Sequence, residues 1–193
     1  MHRLSSSFVL GYHGCDSAVA EKLLAGSAFQ KSQNDYDWLG PGIYFWEANP
    51  LRGLEFAQEL KGLKRGPKID TPSVIGAVID LGLCLDLTTS TGTQQVASAY
   101  RQLVQLADKA GYELPRNSQD SLRRSLDCAV VRLLHDIRDN AGEPEIDSVR
   151  GIFLEGQPIY EGSGFYAKTH VQICVCNPDC IKGVFRVPPI HLG

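Results

Sequence analysis

The chain changes texture twice along its length. Residues 93–109 (TQQVASAYRQLVQLADK) and 119–140 (QDSLRRSLDCAVVRLLHDIRDN) repeat apolar residues every three to four positions, the spacing of a helix with one buried stripe. On either side of them the apolar residues come in short β-branched and aromatic runs bounded by Gly, Pro and Asn, which reads as strands. Strands enclosing a helical pair, without regular β–α alternation, point to an α+β domain with a helical lobe on one side of its sheet. At 193 residues the expectation is one domain over 1–193, with the helical insertion at about 91–141.

The first strand is expected at residues 8–13, ended by Gly14 and delivering His13 at its edge. Asp16 or Ser17 then caps a short helix stopped by Gly26. GIYFW is the second strand, followed by a helix with Asn49 as cap and Pro50 at its first position. VIGAVIDLGLCLDL, residues 74–87, reads as one strand bending near Gly82. After the helical pair come three more β-like runs: RGIFL, VQICVC and KGVFRV.

Composition narrows the class. Hydrophobic residues at 43%, charged residues at 21% and a net charge of -3 suit a soluble globular domain and give no sign of a surface that tracks phosphates. No apolar stretch approaches the roughly 20 residues of a membrane span, and the interrupted run in MHRLSSSFVLGYHG does not suit a signal peptide. The six cysteines at 15, 84, 128, 174, 176 and 180 lie mostly in apolar runs, so the expectation is buried free thiols in a reducing, cytoplasmic setting. CVCNPDC lacks a histidine at zinc-finger spacing and is expected to hold no metal.

Two glycine-flanked ring residues carry the chemical signal: His13 in YHG and Tyr44 in GPGIYF. Taken singly, each suits a structural residue. Together with the late block THVQICVCNPDCIKG, they resemble the three-motif pattern of the ADP-ribosyltransferases, in the diphtheria-toxin-like and poly(ADP-ribose) polymerase-like branch. The second block matches almost letter for letter in Gly40, Gly42, Ile43, Tyr44 and Phe45. The resemblance implies a split β-sheet core with a two-helix insertion, and NAD as co-substrate. It implies that His13 holds the adenosine ribose and that the Gly14 backbone bonds the nicotinamide carboxamide. Tyr44 stacks on the nicotinamide, and Phe56 is a second wall of that slot or plain helix core.

The third block departs from the pattern. With Asn177 on the family's asparagine, Gln172 stands where the resemblance implies a catalytic glutamate. Gln can orient a ribose hydroxyl but cannot set a negative charge beside an oxocarbenium ion. A single ADP-ribose transferred to a macromolecular acceptor, protein or nucleic acid, is therefore the leading expectation. This suits a compact toxin or defence effector with an antitoxin or immunity partner. The alternatives are an inactive module that binds NAD or a partner, and a hydrolase of NAD. Glu155 or Glu161 in FLEGQPIYEGSG would supply the missing carboxylate, although a loop position favours solvation for Glu161. Tyr160, Glu161 and Tyr166 are candidates for contact with the acceptor, and His170 lines the site or the surface. Arg123, Arg124 and Arg132 form a basic strip for nucleic acid or a solvated helix face.

Overall fold

The computed structural model describes residues 8–63, 68–118 and 123–193. Seven strands form one sheet: β1 (Val9–Asp16), β2 (Ile43–Glu47), β3 (Pro72–Ile79), β4 (Cys84–Asp86), β5 (Ser148–Phe153), β6 (His170–Val175) and β7 (Ile181–Arg186). Their order is β4-β5-β6-β2-β1-β3-β7, and every pairing is antiparallel except β4 with β5. Among the described residues four α-helices accompany them: α1 (Ser17–Leu24), α2 (Pro50–Lys61), α3 (Ser90–Ala110) and α4 (Ser125–Asn140). The architecture is α+β, as the texture of the sequence implied.

Local chemistry sets the element ends. The Asp16 carboxylate accepts from the Ala18 amide at 2.9 Å and starts α1. Asn49 accepts from the Arg52 amide at 3.0 Å, with Pro50 at the first helical position where its missing N–H costs nothing. Thr89 caps α3, and Gly111 ends it in the left-handed conformation.

Three expectations are corrected. β1 does not end at His13 but runs on to Asp16, because residues 9–16 all pair with β3. Residues 74–87 are not one bent strand. Gly82 adopts a left-handed φ of 57°, the Asp147 carboxylate accepts the Leu83 amide at 2.8 Å, and the chain crosses to the far edge of the sheet as β4. The second long helix begins at Ser125 rather than 119; residues 119–122 lie outside the described ones.

The alternation of side chains divides the core in two. One face gathers Val149, Phe153 and Cys174 of the sheet against Ala99 and Leu103 of α3 and Val130, Val131 and Leu134 of α4, so the helical pair is a lobe on that face. The other gathers Ile43, Phe45, Ala77, Ile79, Ile173 and Val175, with α1 packing beside them. All six cysteines are free, four of them buried. Cys128 sits in α4, inside the stretch expected to be helical, and Cys180 in a short helical turn after β6.

Candidate functional site

The strands that carry the three motif blocks are neighbours at the centre of the sheet, in the order β6-β2-β1. β1 and β2 pair over only two positions, Gly11 with Glu47 and Tyr12 with Trp46. Beyond Tyr12 they diverge, and the His13 ring bridges the gap, its Nδ1 2.9 Å from the Tyr44 carbonyl oxygen. That contact makes Nδ1 the protonated nitrogen of a neutral ring. Phe29 and Phe45 flank the imidazole, at centroid distances of 5.5 Å and 5.6 Å. Burial there lowers its pKa.

Tyr44 faces the other way. Its hydroxyl donates to the Gly40 carbonyl at 2.7 Å and accepts from the Leu39 amide at 2.9 Å, tying the GPG loop back over its own strand. Its ring packs against the core of the helical face, and burial raises the phenol pKa well above the ordinary value. The register sets Tyr12, Trp46, Gln172 and Gly151 in one row across the sheet on this same face. Tyr44 and Gln172 therefore share a face, and His13 lies on the opposite one. The expected convergence of all three side chains on one cleft is not what the fold delivers, because His13 and Tyr44 fall on opposite pleats.

Gly14 is also placed differently from expectation. α2 lies directly on it, and a Cβ there would collide with the Gly53 carbonyl. Glycine is required at this position for helix–strand contact. Phe56 of α2 is half-buried and packs on Trp46 with ring centroids 4.7 Å apart and planes tilted by 46°, beside the Gln172 row.

Around Trp46 and Gln172 lies a polar cluster that the sequence did not announce. Arg52, only 4% exposed, donates through Nη2 to Glu155 at 3.1 Å and to Glu59 at 3.4 Å. Its guanidinium sits 5.8 Å from the Trp46 ring. Lys168 closes the network on Glu59 at 2.7 Å. His170, buried between Trp38, Trp46 and Phe153, holds its Nδ1 2.6 Å from the Lys168 carbonyl, and burial lowers its pKa. Its Nε2 is then the acceptor side of a neutral ring. Among the described residues, the buried side-chain nitrogens without a partner are Trp46 Nε1, Arg52 Nε and Nη1, and His170 Nε2, all in this one cluster. Buried polar atoms are normally paired, so donors and an acceptor gathered here fit an acceptor-rich polar ligand or water.

The remaining candidates separate cleanly. Glu155 belongs to the cluster, fixed by Arg52. Tyr160 and Glu161 are exposed on the loop that follows β5. Asn177 is structural, its amide donating to the Asp147 carboxylate at 2.8 Å. The three arginines form no free strip. Arg123 lies over Tyr36 and Arg124 over Trp38 and Phe153, while Arg132 donates to the Gln33 and Asn34 carbonyls. Trp46 was within reach of sequence reasoning, since period-two alternation sets it on the face of Tyr44. Arg52 carried no comparable signal, because a helical arginine is ordinarily exposed.

No family model matches the chain, and no solved structure matches it. An uncharacterized protein of Methanocaldococcus jannaschii is 50% identical over 36 residues, which is 19% of this chain and 17% of that relative. Among the described residues no group of His, Cys, Asp and Glu is placed to hold a metal ion, and no helix is long and apolar enough to cross a membrane.

Proposed function

We propose that this chain is an ADP-ribosyltransferase-like domain that transfers a single ADP-ribose from NAD to a macromolecular acceptor. The observation that carries the reading is the adjacency of the motif strands: YHG, GIYFW and the Gln172 strand lie side by side, although about 125 residues separate the last two. The early divergence of β1 from β2 supports the split-sheet core that goes with it.

The fit to NAD is argued from the donor set. Trp46 Nε1 and the two unpartnered nitrogens of Arg52 suit the oxygen-rich ribose and pyrophosphate, and Phe56 packs on Trp46 beside them. Gln172, in the next strand, would orient a ribose hydroxyl. Bound there, NAD supplies a glycosidic bond whose cleavage builds positive charge on the ribose. Glu155 is one carboxylate of the cluster, but its pairing with Arg52 leaves it a positioning residue rather than a base. His13 takes a different role from the one its motif implied: it pins the Tyr44 carbonyl across the gap between β1 and β2.

A second reading is an inactive module, and a specific observation favours it. α2 covers the Gly14 backbone that the nicotinamide carboxamide would need, and position 172 lacks a carboxylate. Nicotinamide release from NAD, measured with and without cell extract for wild type, Gln172→Ala and Gln172→Glu, separates the two. Release that needs extract and is lost in Gln172→Ala supports the transferase. Release without extract indicates hydrolysis. No release despite calorimetric binding of NAD leaves the module.

A further inference from the structure

We propose that Cys176, paired with His135, is a modification site: a nucleophilic thiol open to peroxide and to soft carbon electrophiles. This is independent of the reading as a transferase, since neither residue belongs to the cluster around Gln172. Cys176 follows the last residue of β6 and faces α4, where its Sγ lies 4.0 Å from Nε2 of His135. A thiol and an imidazole within reach of each other form a nucleophile with its base. Two further groups act on the sulfur: Cys174, on the same face of the strand, whose carbonyl oxygen lies 3.9 Å from it and whose own thiol donates to the Gly40 carbonyl, and the Lys31 ammonium, within electrostatic range. The neighbouring Cys174 side chain first and His135 second hold the Cys176 thiol below its ordinary pKa, against the opposing effect of burial.

The chain carries its own controls. Cys15, Cys128, Cys174 and Cys180 are buried, and only Cys84 and Cys176 are partly exposed. Among the described residues Cys84 has no histidine partner, and burial raises its pKa. Exposure alone therefore does not distinguish the two thiols; the imidazole does. In the reaction with hydrogen peroxide the Cys176 sulfur attacks one oxygen. An S–O bond forms and the O–O bond breaks, and the departing hydroxide takes the thiol proton, relayed through His135, to leave as water. Sulfur is oxidised by two electrons to a sulfenic acid, and the peroxide is reduced. With iodoacetamide the same sulfur displaces iodide to give a thioether.

The test is competitive labelling of the native protein with limiting iodoacetamide at about pH 6, where an ordinary thiol is almost fully protonated. Peptide mapping is expected to find Cys176 modified at least about tenfold faster than Cys84, and dimedone to trap a sulfenic acid at Cys176 after peroxide. His135→Gln is expected to slow Cys176 by about tenfold or more at this pH and to move its rate profile to higher pH. Should that variant not fold, the wild-type rate profile of Cys176 decides alone, through an inflection well below that of Cys84. Equal labelling of Cys84 and Cys176, or a Cys176 profile with an ordinary thiol inflection, would overturn the proposal.

Discussion

Gln172 sits between Trp46 on one neighbouring strand and Gly151 on the other, so its side chain projects from the middle of the face that also carries Tyr44. The difference between an amide and a carboxylate here is one negative charge, in a setting where a single preorganised electrostatic group is worth about 3 kcal/mol in enzymes generally. Gln172→Glu is therefore expected to raise nicotinamide release by about tenfold or more, read in a steady-state assay; unchanged turnover would mean that the ribose does not pass this residue. The neighbouring tyrosine has a structural duty that alanine would confound with any chemical one. Tyr44→Phe keeps the ring and removes both hydroxyl hydrogen bonds to the GPG loop. It should cost about 1–3 kcal/mol in denaturant unfolding. A loss below a few tenths would show that the loop is held by other contacts. Gly14→Ala is a harsher change, because the atom it meets is the carbonyl of Gly53 and a helix backbone cannot step aside as a side chain does. It should cost 2 kcal/mol or more, roughly the upper range for overpacking a well-filled core.

At the scale of elements, the junction between β2 and α2 positions Arg52 and Phe56 over Trp46. Ala48 makes the turn with a left-handed φ of 51°, which a side chain disfavours, and Asn49 then caps the helix. Asn49→Ala should lower stability by about 1 kcal/mol, whereas Ala48→Gly should be neutral or stabilising by up to about 1 kcal/mol; thermal melts of both variants check the pair. The cap, the proline and the strand were all legible in NPLRGLEFAQELKG and GIYFW, because each is fixed by chemistry within a few residues. The break at Gly82 was not. VIGAVIDLGLCLDL is uniformly β-like, and what parts it is a hydrogen bond from Leu83 to Asp147, 64 residues away. The candidate site divides in the same manner. Tyr44 and Gln172 could be assigned to motif strands, but which pleat each occupied depended on a register that only the assembled sheet specifies. His13 and Tyr44 therefore looked like partners in one cleft, and the fold gives them opposite faces. The Arg52–Glu155–His170 cluster joins three segments with no local pattern in common.

For the molecule as a whole, two imidazoles lie on opposite faces of one sheet, His13 half-buried between Phe29 and Phe45 and His170 buried among Trp38, Trp46 and Phe153. Desolvation lowers both pKa values from the ordinary 6.5, outweighing the hydrogen bond that each ring makes to a backbone carbonyl. Below pH 6.5 the unfolded chain thus binds protons that the native one refuses, and stability falls as pH falls. The stability these rings contribute is fully present above their unfolded value. A second acid step lies lower. Amide hydrogen bonds from Thr71, Ala18 and Asp70 hold the Asp16 carboxyl below its ordinary 3.8, so its contribution is present above that value and is lost only as pH drops through the folded one. The melting temperature should accordingly be flat above about pH 7, decline as pH falls below about 6.5, and decline again below about pH 4, with each kcal/mol worth roughly 2–4 °C in a chain of this length. The upper step belongs to His13 and His170, and proton NMR of the imidazoles tests that assignment directly. Both rings should titrate below 6.5 in the native state, or remain neutral until the protein unfolds. A midpoint at or above 6.5 for either ring would mean that its aromatic pocket admits water and a charge, and would remove the pH dependence argued from it.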